Sequence, residues 1–449
     1  MELQLGTAKA DITPLAAVPL AGFAVRQNKP YEGIRSRLYA RVLYLRQQAE
    51  GSAMRQAVIV SADLLWWGSD RMPRIRQTLA ERFGLAPEAI ILNGTHNHSG
   101  PQTSFGFHRL LGQADVGYVD DLERKLVQAI AAAAANIEPV TIEKGEGLSG
   151  IGVQRRKYVD GRVIGGPNPE GPVDPEVVVL RFRTEKGAVK AVAVHYACHP
   201  VTTNENVVSA EFSGKAMESL ERRLGGDAVC LFLQGACGDI NIFKESAPAE
   251  LVADRDIVDY FGLLLADTVG DVLEGPMRVL KPVPLEGRTV ALPLRLKPLE
   301  TRAELEALAA AGESPYDEWA EAMLRNPDGR PDRLLLELTR LDVAEGLSLL
   351  AMNAEVVVEY GLYVKAVSAG NVLPLPYSNG MIGYVPTQKQ IAHGGYEPVL
   401  STYYFHMPGR FDESVEDAMR AGLADMAGTG TSGRHERLTE GEAGGTFKA

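Results

Sequence analysis

The stretch "QAVIVSADLLWWGSDRMPRIRQTLAERFGLAPEAIILNG" (56–94) decides the fold class. Its first part, "QAVIVSADLLW" (56–66), is a β-branched apolar run of the kind that forms a buried strand. "SDRMPRIRQTLAERFG" (69–84) changes to a helical period, with Ser69 as the expected N-cap and Gly84 near the end. "AIILNG" (89–94) is the next strand. Strand, helix and strand in succession are the unit of a sheet flanked by helices.

The pattern repeats outward. "VDDLERKLVQAIAAAAANI" (119–137) predicts a helix by period and alanine content. "EVVVLRF" (176–182), "AVKAVAVHYACHP" (188–200) and "AVCLFLQG" (228–235) predict strands, with "SGKAMESLERRLGG" (213–226) as a helix among them. "RDIVDYFGLLLADTVGDVLEG" (255–275) predicts a helix, and "GRTVALPLRLKP" (287–298) a strand of period two. "TRAELEALAAAG" (301–312) and "PYDEWAEAMLRN" (315–326) form a helical insert within about 299–330. "LSLLAMNAEVVVEYG" (347–361) and "YVKAVSAGNVL" (363–373) are read as strands, and "DESVEDAMRAGLADM" (412–426) as a last helix. The expectation is one large α/β domain over 1–427, with a mixed β-sheet core and flanking helices. The polar, Gly-rich tail 428–449 is expected to be disordered.

Composition narrows the class. Apolar residues make up 45% and charged residues 23%, which is a soluble globular balance. A formal net charge of −12 argues against nucleic acid and anionic membrane as partners. The opening "MELQLGTAKADITP" has neither a basic leader nor an apolar stretch, so no secretory signal and no stable membrane anchor are expected. Three cysteines without CxxC spacing fit reduced thiols, and so a cytoplasmic location. "GEGLSG" (145–150) matches GxGxxG, but no helix start follows it, so no phosphate cradle is expected.

Four apolar runs end in chemically able residues. "AIILNGT" leads to His96 and His98, "AVAVHYAC" to His199, "LSLLAMNA" to Glu355, and "YVKAVSAGNVLPLPYSN" to Tyr384. Sites in α/β sheets gather at the carboxyl ends of strands, where loops converge. Two imidazoles, a carboxylate and a phenol are donors suited to zinc. Spacing alone leaves the plainer reading open, in which these are hydrogen-bonded structural groups. A cysteine hydrolase built on Cys198 and His199 is disfavoured, because neighbours on a strand point to opposite faces.

At these residues the chain resembles the catalytic domain of the neutral/alkaline (non-lysosomal) ceramidase family. The resemblance rests on "GTHNHSGP", "YACHPVTTNEN", "FLQGACGDIN", "NAEVVVEYG" and "SNGMIGYVPTQKQIAHGGYE", in that order. It implies a Zn2+ site formed by His96, His199, Glu355 and Tyr384. It also implies that His98 acts as acid/base on the leaving group, and that Tyr396 and Arg155 stabilise charge on the substrate. Arg156 is the neighbouring alternative to Arg155. Asn241 stands where the family has a serine, so the expected route is direct water attack without an acyl-enzyme. The family's C-terminal β-sandwich is not matched. The expected activity is zinc-dependent hydrolysis of a small-molecule amide, ceramidase-like but on a soluble, non-ceramide substrate. An esterase on the same site, or a non-catalytic binding homologue, is the alternative.

Overall fold

The computed structural model describes residues 2–48, 54–248, 251 and 254–428. The tail expected to be disordered lies, from residue 429 on, outside the described residues. The opening stretch forms the strand Arg55–Ala62, the helix Met72–Phe83 and the strand Ile90–Gly94. The two strands pair in parallel, with Val58 opposite Ile90 and Ala62 opposite Gly94. Parallel pairing requires a crossover, and the helix provides it by burying Met72, Ile75 and Leu79 at helical spacing. Ser69 does not cap this helix. Arg71 holds the N-cap position, and the Ser69 hydroxyl instead donates to the Met381 carbonyl at 2.9 Å.

The same βαβ unit occurs twice more. Val189–Tyr196 pairs in parallel with Val229–Gln234 across the helix Glu211–Leu224. Leu347–Met352 pairs in parallel with Val372–Leu375 across the helix Val358–Val367. The last helix corrects the sequence reading, which made 363–373 a strand and ran the preceding strand to residue 361.

The first two units belong to one nine-stranded mixed sheet, and the third to a four-stranded sheet. Residues from all three units share one apolar core, with Ile59, Ile91, Ala193, Leu231, Leu349 and Leu373 all buried in it. The outer faces are covered by helices. Val116–Ala135 and Met72–Phe83 both bury residues in one apolar cluster on the sheet, Glu211–Leu224 packs with Asp254–Glu274, and Val358–Val367 with Val415–Ala427. "GEGLSG" is the end of the strand Glu138–Leu148 and not a phosphate loop. A Cβ at Gly145 or Gly147 would lie 2.7 or 2.8 Å from Val272, so the glycines serve close packing of a helix. The helical insert is present as Arg302–Ala311 and Tyr316–Leu324, anchored by the Trp319 indole donating to the Met407 carbonyl at 2.8 Å.

The nine-stranded sheet curls so that its two edge strands approach each other. Asn93 joins them. Its side-chain oxygen accepts from the Gln234 backbone at 2.9 Å, and its nitrogen donates to the Pro376 carbonyl at 2.8 Å and Ser378 Oγ at 3.0 Å. One fully buried amide therefore ties together the carboxyl ends of all three units. Replacing it strands buried donors and acceptors, each costing about 1–3 kcal/mol. Asn93→Ala should lower unfolding free energy in urea by about 2–4 kcal/mol. A loss below about 1 kcal/mol would contradict this role.

Candidate metal centre

His96, His199 and Glu355 each follow a strand end closely and are fully buried. His96 takes φ +62°, a left-handed conformation uncommon outside glycine and sparingly accepted at functional sites. Neighbouring backbone bonds hold it there: Thr95 N donates to the Ala62 carbonyl at 2.8 Å, and Asn97 N to Leu64 at 3.1 Å. The ring nitrogens are equally constrained. His96 Nδ1 lies 3.1 Å from the Leu65 carbonyl, and His199 Nδ1 lies 3.0 Å from the Ile240 carbonyl. A carbonyl oxygen only accepts, so each Nδ1 carries the proton and each Nε2 of the neutral ring presents a lone pair.

Both lone pairs face Glu355. His96 Nε2 and His199 Nε2 each lie 3.0 Å from its Oε1. Burial raises the Glu355 carboxyl, but any proton entering the cluster goes to an imidazole that donates it to Glu355, and this holds the carboxyl well below the usual carboxylate range and leaves it ionised. Burial, reinforced by His96, pushes His199 down to about 4. Two acceptor nitrogens and a carboxylate oxygen thus converge without protons enough to pair them. A divalent cation satisfies all three at once. Zinc bonds of about 2.0–2.1 Å in tetrahedral geometry hold donors about 3.3 Å apart, close to the spacing here.

The remaining predicted residues surround this point. His98 Nε2 lies 3.3 Å from His96 Nε2, and one ring nitrogen from each of His96, His98 and His199 falls within 4.8 Å of the others. Burial lowers the His98 pKa strongly, with His96 adding to it. Tyr384 pairs with Glu355 in a two-stranded parallel ladder, and its hydroxyl accepts from Arg155 Nη2 at 3.0 Å. Burial raises the Tyr384 phenol, while Arg155 acts the other way. Arg155 Nε also donates to Glu397 Oε1 at 2.9 Å. Arg156 turns to the other oxygen of Glu397 and to the Gly394 carbonyl, so of the two arginines Arg155 is the one at the phenol. The Tyr396 ring stands edge-on to Tyr384 with centroids 5.5 Å apart. His98, Arg155, Tyr384 and Tyr396 all line a cavity of about 850 Å3.

Sequence reasoning missed two supports. Arg26 is buried and donates to the carbonyls of Ala21, His98 and Glu205, clamping the His98 segment. Burial lowers its pKa to about 10, against the pull of Glu211. Tyr377 stacks on His96 at 4.0 Å between ring centroids and approaches Cys237 Sγ at 3.2 Å. Arg26 lies in no polar cluster at a strand end; Tyr377 does, two residues past the strand Val372–Leu375, but that run is read as leading to Tyr384. Burial pushes the Cys198 and Cys237 thiols well up, which leaves no thiolate for a cysteine hydrolase.

Residues 3–245, more than half of the chain, match the family described as neutral/alkaline non-lysosomal ceramidase, N-terminal. The chain belongs to this family. It is 28% identical to neutral ceramidase A of Dictyostelium discoideum over 246 residues, which are 50% of this chain and 32% of that protein. It is also 28% identical to neutral ceramidase B of the same organism over 266 residues, or 53% and 35%. The matches therefore span about a third of the length of these curated relatives. The fold is that of the neutral ceramidase from Pseudomonas aeruginosa, with a TM-score of 0.74 at 21% identity, covering 95% of this chain and 74% of that one. A ceramidase complexed with C2 gives a TM-score of 0.73 at 19% identity, with 95% and 75% covered.

The candidate site has a direct spectroscopic signature. His199 has a folded pKa below its unfolded value near 6.5, so its ring stays neutral as pH falls through 6.5 and protonates only near 4. Long-range 1H–15N NMR of metal-free protein should show the neutral Nδ1–H tautomer at pH 6. A titration midpoint near 6.5 would contradict the geometry.

Proposed function

We propose that the chain is a zinc-dependent amidohydrolase that cleaves an N-acyl bond by water attack. The observation that carries this reading is the convergence of two imidazole Nε2 atoms and a carboxylate oxygen beside the Arg155–Tyr384 pair, at a cavity wall. His96, His199, Glu355 and Tyr384 would hold the cation. When bound, it supplies Lewis acidity and makes water nucleophilic near neutral pH. The chain's own groups do the rest. The Nδ1 bonds to Leu65 and Ile240 fix which ring nitrogens are free to ligate. His98, in the cavity wall and kept neutral by burial, is free to take the proton that the attacking water gives up and to pass it to the leaving nitrogen. Arg155 and Tyr396 offset charge developing on the acyl oxygen.

Relatives named as ceramidases support an amide as the scissile bond. The cavity wall mixes Lys244, Glu245 and Asn204 with Phe23, Val163 and Leu400, which suits a compact soluble amide better than two long alkyl chains. Residues 1–427 would act as one catalytic unit. Free buried cysteines 198, 230 and 237 support a cytoplasmic setting. No described helix is long and apolar enough to cross a membrane.

Elemental analysis should find about one zinc per chain in the unmutated protein, and loss of it in His96→Ala and in His199→Ala. A panel of N-acyl amides and esters should show chelator-sensitive turnover that prefers amides. Absence of any stoichiometric divalent metal after supplementation would sink the proposal.

A further inference from the structure

Asn241 lies in the three-residue strand Ile240–Ile242, antiparallel to Gly152–Val159, with Asn241 opposite Val153. Ile240 and Ile242 are buried in apolar clusters. Asn241 and its cross-strand partner Val153 line the cavity together with Arg155, two residues on along the same strand, and Ile242. Arg155 Nη1 donates to its side-chain oxygen at 3.3 Å. A guanidinium only donates, so the amide cannot be flipped, and its Nδ2 points away from Arg155. No group among the described residues accepts from that nitrogen. The other terminal nitrogen of the same guanidinium holds the Tyr384 hydroxyl, and Nε is tied to Glu397. The amide thus rests on a fork fixed at three points, next to the candidate metal centre.

We infer that Asn241 is a substrate-contacting hydrogen-bond donor, pre-oriented by Arg155, that receives the acyl oxygen. The inference rests on the hydrolase reading and adds a specificity to it. The group that docks here must present an accepting oxygen, as a carbonyl or carboxylate does and an ammonium or a hydrocarbon does not. An amide nitrogen is not a nucleophile, so Asn241 binds and polarises while forming no bond to the acyl carbon.

Asn241→Ala and Asn241→Asp separate donation from support of Arg155. Asp keeps an oxygen for Arg155 and removes the donor. Both variants should lose about 100- to 1000-fold in kcat/KM on the amides the unmutated protein hydrolyses, chiefly in kcat. Their zinc content and Tm should be unchanged. Asp with unmutated turnover would reduce Asn241 to a support for Arg155 and overturn the inference. Calorimetric titration with butyrate, a carboxylate of the product class, decides the matter without turnover. The unmutated protein should bind it at least about tenfold more tightly than either variant. Equal or absent binding throughout overturns the inference. Asn241-dependent butyrate binding with no turnover of any amide leaves the donor standing and overturns the hydrolase reading instead.

Discussion

Two imidazole nitrogens, each held 3.0 Å from one oxygen of a fully buried carboxylate, are the constraint around which this molecule is arranged. Left alone, three buried acceptors repel. Their approach is enforced from behind, by backbone carbonyls that fix each ring and by Asn93, which draws the three strand ends together. The left-handed backbone at His96 and the stacked Tyr377 belong to the same enforcement. Strain of this kind persists only where the surroundings over-determine it, and a bound cation would relieve it.

A second layer of charge surrounds that centre. Glu397 pairs with both Arg155 and Arg156, and both arginines line the cavity. Adjacent residues of a regular strand point to opposite faces, but the ladder between Gly152–Val159 and Arg162–Asn168 shifts register between Gln154 and Arg156. The irregularity lets both side chains reach one carboxylate. Beyond Glu397, Asp239 accepts from Gln154, Gln390 and the Val358 backbone. The position of Arg155 thus depends on a buried polar network as much as on its own strand.

This explains how much the sequence could tell. Strand ends that deliver His96, His199 and Glu355 were legible, because long apolar runs stop abruptly at residues able to do chemistry. The βαβ order of the first two units was legible for the same reason. Arg155 and Arg156 could not be separated, since a register shift is a property of two strands and not of one. The helix Val358–Val367 was misread because its buried Val358, Tyr360 and Val364 come from a β-branched stretch covered on several sides, which leaves no helical period to detect. Ser69 looked like a cap but bonds Met381, more than three hundred residues away. Arg26 and Tyr377 act through contacts that only the folded chain creates.

The most direct test of the convergence is anomalous diffraction at the zinc edge from crystals of protein supplied with zinc. The account predicts one strong peak within about 2.0–2.1 Å of His96 Nε2 and His199 Nε2, with Glu355 and Tyr384 oxygens completing the shell. A map with no peak between those two imidazoles, at full zinc supplementation and with both rings in place, would contradict it.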